Sequence, residues 1–121
     1  MPQILLIDDD ETQLRLREAI LREAGLSVHT AQTSDQALVA LRNREVAQSI
    51  RMIVTDHVMP GTGGAAFVRE LRKLSPQVPI LVISGLAEAE DEYKALGVSF
   101  LNKPCRPEEL ICRVRTEMNE S

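Results

Sequence analysis

Three consecutive aspartates, Asp8, Asp9 and Asp10, follow the apolar run Ile4–Ile7, and Asp56 lies just past a second apolar run, 52–54. Ser84 ends a third run, 80–83, and Lys103 lies just past a fourth segment, 98–101. Adjacent carboxylates repel, and each tends to raise its neighbour's pKa. A fold tolerates the crowding where a cation is close or where the run faces water. Several carboxylate oxygens in one crevice make a hard-oxygen site suited to Mg²⁺, which takes a few carboxylates and keeps some of its water. Lys103 would add another positive charge. Metal and ammonium together would stabilise a phosphoryl group, the natural anion for such a site.

Each residue also has a plainer reading. Asp10 stands at the start of a helix with Gln13 three positions on, which fits a helix N-cap. Asp8 or Asp9 alone would favour a helix N-terminus, and Asp56 alone would form a turn ahead of Pro60-Gly61. Ser84-Gly85 alone would be a strand-ending turn, and Lys103 alone a solvated surface charge. His29 and His57 have no metal-ligand spacing and read as structural or surface residues. Met52 and Met59 read as core.

The elements that must position these residues alternate along the whole chain. Ile4–Ile7, 52–54 and 80–83 are short continuous apolar runs, as strands buried on both faces of a parallel sheet would be. The mixed segments 27–31 and 98–101 fit strands nearer an edge. Leu14, Leu21 and Ala24 recur at helical spacing, with Leu16 and Ile20 alongside and Gly25 as the stop. Ala37, Leu38 and Leu41 mark a second helix, and Phe67, Val68, Leu71 and Leu74 a third. The weaker segment 87–96, ended by Gly97, marks a fourth. Leu110, Ile111, Val114 and Met118 mark a fifth. The stretch 42–49 fits no element. Five β–α units in order predict an α/β fold with a parallel sheet covered by helices on both faces. Every strand of such a sheet ends at one edge. The four segments therefore deliver acids, a hydroxyl and an amine to one rim, where open α/β sheets bind ligands.

Bulk properties narrow the function. The 121 residues fit one domain, 1–121, and 44% are apolar. Only Phe67, Tyr93 and Phe100 are aromatic, so the core must be aliphatic. The formal net charge is −4 and there is no Lys/Arg block, which argues against direct nucleic-acid binding. Cys105 and Cys112 have no companion ligands and read as free thiols in a reducing cytosol. No stretch approaches transmembrane length, and the N-terminus has no signal-peptide pattern. A cytoplasmic location with no membrane contact is the expectation.

With these motifs in place, the sequence resembles the receiver domain of two-component response regulators over essentially the whole chain. "LLIDDDE" resembles the acidic pair after the first strand. "VTDHVMPGTGG" resembles the phosphoacceptor segment, with Asp56, Met59-Pro60 and Gly64 in register. "VISG" resembles the hydroxyl-bearing end of strand 4, and "FLNKP" the aromatic and lysine-proline end of strand 5. The phrasing of the three later motifs resembles receivers attached to hybrid histidine kinases.

The resemblance implies a flavodoxin-like doubly wound sheet of five strands in the order 2-1-3-4-5, with five helices. It implies that Asp56 takes a phosphoryl group from a phosphohistidine of a histidine kinase or phosphotransfer domain. The chain would catalyse its own phosphorylation and dephosphorylation, not act as a stand-alone enzyme. Mg²⁺ would be held by Asp9 directly, by Asp8 largely through water, by Asp56 and by the backbone carbonyl of Val58. Ser84 would hydrogen-bond a phosphoryl oxygen, Lys103 would pair with the phosphoryl group, and Lys103-Pro104 would be a cis peptide. Ser84 and Phe100 would be the switch residues, altering the surface formed by the helix at 87–96, the fifth strand and the last helix. From the residues themselves, the acids Glu88, Glu90, Asp91 and Glu92 against Arg106, Arg113 and Arg115 fit either ordinary solvated faces or a surface for a downstream partner, an attached domain or self-association. The chain departs from the family pattern at Gly63, at Gly85 and at Phe100, which has no hydroxyl. Gly85 would leave that side of the pocket more open.

Two other readings compete. Asp8 to Thr12 also reads D-x-D-x-T, the opening motif of haloacid-dehalogenase-like phosphatases, which would make Asp8 the nucleophile. Those enzymes need a further acidic pair beyond the lysine, and the eighteen residues after Lys103 read as one helix. The reading also leaves Asp56 without a task. A non-phosphorylated pseudo-receiver, acting only as an interaction module, would not need the full set of acid, hydroxyl and lysine.

Overall fold

In the computed structural model, residues 3–56, 64–85 and 97–120 are described. Five strands, β1 (Ile4–Ile7), β2 (Val28–Ala31), β3 (Met52–Asp56), β4 (Ile80–Ser84) and β5 (Ser99–Asn102), form one parallel sheet in the order β2-β1-β3-β4-β5. The order expected from the resemblance is the one observed. β1, β3 and β4 are buried along their whole length, as strands with helices over both faces must be. The described helices are α1 (Glu11–Glu23), α2 (Ser34–Arg42), α3 (Arg44–Ser49), α4 (Gly64–Leu74) and α5 (Pro107–Glu120).

The period-2 alternation of the strands divides the core in two. Leu5, Ile7, Ile53, Ile80 and Val82 face α2 and α4, meeting Ala37, Leu41, Phe67, Val68 and Leu71. Ile4, Leu6, Met52, Val54, Leu81 and Ile83 meet Leu14 and Leu21 of α1 and Leu110, Val114 and Met118 of α5. The two parities decide where each rim residue points. Asp8 and Asp56 continue the set facing α1 and α5, whereas Ser84 and Phe100 follow the set facing α2 and α4.

Helix ends follow local chemistry. Asp10 accepts from the N–H groups of Thr12 and Gln13 and caps α1, the role its spacing predicts. Gly25, at φ +89°, takes the left-handed conformation that ends α1. Thr33 caps α2 through the N–H of Gln36.

Three points differ from the sequence reading, and a fourth lies outside the described residues. Leu16 and Leu74 are 54% and 36% exposed; the position Leu16 was to hold inside α1 is filled by Arg17, three residues from Leu14 and four from Leu21. Stretch 42–49 contains α3, a six-residue helix opened by Asn43, whose side chain accepts from Glu45 and Val46 N–H. Only Val46 of α3 packs against the core, so no apolar stripe announces it. β3 and β4 run on through Asp56 and Ser84, because neighbouring strands pair with them there. The helix expected at 87–96 lies outside the described residues.

Candidate functional site

β1 and β3 are adjacent, and the chain reverses its winding between them. The C-terminal ends of these strands therefore open on the switch-point crevice of the sheet. Asp8 follows β1 and is still held to β2, its N–H donating to the Ala31 carbonyl at 3.1 Å. Asp56 is the last residue of β3. One carboxylate oxygen from each of Asp8, Asp9 and Asp56 comes within 4.8 Å of the others. Asp9 is exposed, Asp8 is wholly buried and Asp56 is 8% exposed, so the cluster opens to solvent on the Asp9 side. Convergent hard oxygens with one open side fit a Mg²⁺ that keeps part of its water.

Two cations reach the cluster from different elements. Lys103, just past β5, brings Nζ to 3.0 Å from Asp56 Oδ1. Its own N–H donates to the Ser84 carbonyl at 2.8 Å, and Lys103-Pro104 is cis, as expected. The second cation is Arg17 of α1, whose Nη1 donates to Asp8 Oδ2 at 2.6 Å. Sequence reasoning missed Arg17. The signal was available: a lone cation interrupts the apolar stripe of α1 between Leu14 and Leu21, two turns beyond three aspartates.

Burial pushes the Asp8 carboxyl above the usual Asp range, and the charge of Asp56 pushes it the same way. The N–H of Asp10, donating to Asp8 Oδ1 at 2.9 Å, opposes this, as do Arg17 and Lys103. Both oxygens of Asp8 therefore already accept from the protein.

Of the remaining residues singled out from sequence, Ser84 ends β4 at the rim and is buried. Phe100 pairs with Val82, is half-buried and packs on the α2/α4 side of the core. Thus Asp8, Asp9, Asp56, Ser84 and Lys103 share one rim, and Phe100 lies two residues behind Asn102, the β5 partner of Ser84. Val58, Met59-Pro60, Gly63 and the acids at 88–92 lie outside the described residues. Arg113, half-buried, donates to the Phe100 carbonyl, and Arg115, exposed, donates to the Ala24 carbonyl. At Gly85 an added Cβ would meet Lys103 Cβ at 3.8 Å, an ordinary contact, so glycine is not required for space. Cys105 and Cys112 are free thiols. Among the described residues no helix is long and apolar enough to cross a membrane.

The family model described as response regulator receiver domain matches residues 4–115. The transcriptional regulatory protein CpxR homolog of Haemophilus influenzae is 31% identical, over 100% of this chain and 52% of its own length. The chain spans about half the length of the curated relatives it matches. The receiver domain of Francisella response regulator 1452 is 27% identical with TM-score 0.85, covering 99% of this chain and 98% of that one. A CheY-like receiver domain protein from Methanospirillum hungatei superposes with TM-score 0.89 over 99% and 95% of the two chains; at 24% identity it speaks to the fold alone.

Proposed function

The chain belongs to the receiver domain family of two-component response regulators, and on that footing we propose that Asp56 is its phosphoacceptor. The observation that carries this is the pairing of Asp56, at the open end of β3, with the ammonium of Lys103 at 3.0 Å. An Asp56 oxygen would attack the phosphorus of a phosphohistidine. A P–O bond forms, the P–N bond breaks, and the imidazole leaves as the other product. Phosphoryl transfer asks mainly for positioning and charge neutralisation. Lys103 supplies a charge that can pass from carboxylate to phosphoryl oxygen with little movement of its stem.

Receiver domains use Mg²⁺ at an acidic aspartate pocket, and this chain has such a cluster. In our reading Asp9 and Asp56 hold the ion, with Asp8 behind them and the Val58 carbonyl completing the set. When bound, the ion supplies further neutralisation of phosphoryl charge. Ser84 gives a hydroxyl to the new phosphoryl oxygen, and Phe100 follows its movement, altering the β5 and α5 surface offered to a partner or attached domain. The source of the phosphoryl group is a histidine kinase or phosphotransfer domain, and a cytoplasmic location follows from that partner.

The phosphatase reading is disfavoured at Asp8. This carboxylate is wholly buried and ion-paired with Arg17, whereas a nucleophile must be reachable by substrate. Intact mass after incubation with Mg²⁺ and acetyl phosphate tests the proposal. One adduct is expected, labile to hydroxylamine as an acyl phosphate and lost in Asp56→Asn. An adduct that survives Asp56→Asn would refute it. For the switch, Ser84→Ala should still accept phosphate, more slowly, while losing most of the amide NMR response of β5 and α5.

A further inference from the structure

The rim holds more permanent positive charge than its proposed chemistry requires. Lys103 already serves Asp56. Arg17 sits deeper, with its side chain 7% exposed, against an Asp8 side chain that is 0% exposed. Placing arginine there displaces an apolar residue from the stripe of α1, because Leu14, Arg17 and Leu21 are the buried positions of that helix. A guanidinium desolvated to this degree must be matched by its partner. Arg17 donates to Asp8 Oδ2 at 2.6 Å, and the second oxygen of Asp8 is taken by the Asp10 N–H at 2.9 Å.

We propose that Arg17 is a resident counter-cation of the acid pocket, a positioning residue that holds Asp8 in place and reserves its charge, so that Mg²⁺ binds more weakly than three free carboxylates would bind it. The inference rests on reading the pocket as a Mg²⁺ site. The physical basis is charge counting at short range. With Arg17 present, the Asp8 pair is neutral and the divalent ion meets the charges of Asp9 and Asp56, the latter already shared with Lys103. With Arg17 removed, the ion meets one more negative charge a few ångströms away, where two charges still interact strongly at the dielectric of a protein rim. Arg17 also keeps the cluster assembled in the absence of the ion, since it offsets the mutual repulsion of Asp8 and Asp56.

The test is Mg²⁺ affinity by titration calorimetry at pH 8 on the folded chain, with no phosphodonor present. Arg17→Met should tighten Mg²⁺ binding by roughly tenfold, the effect of one nearby charge. Arg17→Lys, which keeps the charge, should stay much closer to the unaltered protein. Should Arg17→Met fail to fold, the comparison moves to a second pair. Asp8→Asn leaves Arg17 as an unmatched cation beside the metal, and adding Arg17→Met to it should recover about tenfold in Mg²⁺ affinity. A purely structural Arg17 would change melting temperature and leave these affinities equal. Equal or weaker Mg²⁺ binding on removing Arg17, in both backgrounds, would overturn the inference. Absence of Mg²⁺ binding by the unaltered protein would overturn the metal reading itself, a separate result.

Discussion

Asp8 and Asp56 end adjacent strands, and each accepts a hydrogen bond from a cation, yet the two pairs are built to opposite specifications. Asp8 meets a planar guanidinium, 7% exposed, anchored in the middle of a helix. Asp56 meets an ammonium, 34% exposed, carried on a flexible stem just past a strand end. Arginine is the better partner for a fixed, desolvated carboxylate. Lysine is a compact point charge with rotatable donors. One pair is suited to remaining in place, while the other can exchange a carboxylate for a phosphoryl oxygen. Proximity of a cation to an acid is therefore not enough to mark a reactive site; exposure and the geometry of the cation separate a fixed charge from a transferable one.

Breaking the fixed pair should have the largest effect on stability. Arg17→Met leaves Asp8 buried and unmatched, and removing one partner of a buried pair typically costs about 3–5 kcal/mol. Urea unfolding in EDTA at pH 8 should show a loss of that order. Lys103→Met, at the more exposed pair, should change stability by less than about 1 kcal/mol. If the two substitutions cost the same, the distinction between the pairs fails.

The order should reverse when rate is measured. Lys103→Met removes a positioned charge from the phosphoryl group and should slow adduct formation by about a hundredfold or more, the usual cost of losing one such group. The readout is intact mass against time with acetyl phosphate, at saturating Mg²⁺.

Much of this contrast was legible in the sequence, but only on one side of it. Asp56 and Lys103 stand where parallel strands end, and that topology follows from continuous apolar runs alternating with helices. Their convergence could be expected before any coordinates. Arg17 could not be placed the same way. Helical periodicity allowed Leu16 or Arg17 to face the core, and hydrophobicity favours Leu16. The tertiary need for a countercharge beside Asp8 chose Arg17 and left Leu16 in solvent. The helix α3 was illegible for a different reason: six residues held by an Asn43 cap and one half-buried valine leave no periodic signal. The strands read short because Thr55, Asp56 and Ser84 are polar, although neighbouring strands pair with them and bury them.

Two smaller changes sharpen the comparison at its edges. Asp10→Ala removes the cap of the helix that carries Arg17 and should cost about 1 kcal/mol, typical of a lost N-cap. It should leave Mg²⁺ affinity nearly unchanged, since Asp10 belongs to the helix and not to the acid cluster. Gly85→Ala adds a methyl in ordinary contact with the Lys103 stem. It should stabilise the protein by about 0.4–1 kcal/mol through the unfolded chain, and melting temperature is the measurement.

The smallest expected effect concerns which influence governs Asp8, its burial or its arginine. Burial and the Asp56 charge raise its folded pKa in spite of Arg17. A carboxyl raised on folding binds its proton more tightly in the folded state than in the unfolded chain. The metal-free protein should therefore gain stability from this group as pH falls from neutral through the folded value. The gain is complete below the unfolded Asp value of about 3.9. Glu18 acts with the opposite sign. A hydrogen bond from Arg15 holds its carboxyl below the usual Glu range, so its contribution is present at neutral pH and is lost as pH falls through that lower value. On acidification the Asp8 and Glu18 contributions thus run in opposite directions. Unfolding free energies of the unaltered protein and Asp8→Asn, measured in EDTA across this range, separate the two, because Glu18 is common to both. The unaltered protein should gain on Asp8→Asn as the pH drops. If it instead lost ground, Arg17 would outweigh burial, and Asp8 would be a depressed carboxylate held ionised by its partner. Mg²⁺ favours the ionised form, so adding it should move the same window to lower pH.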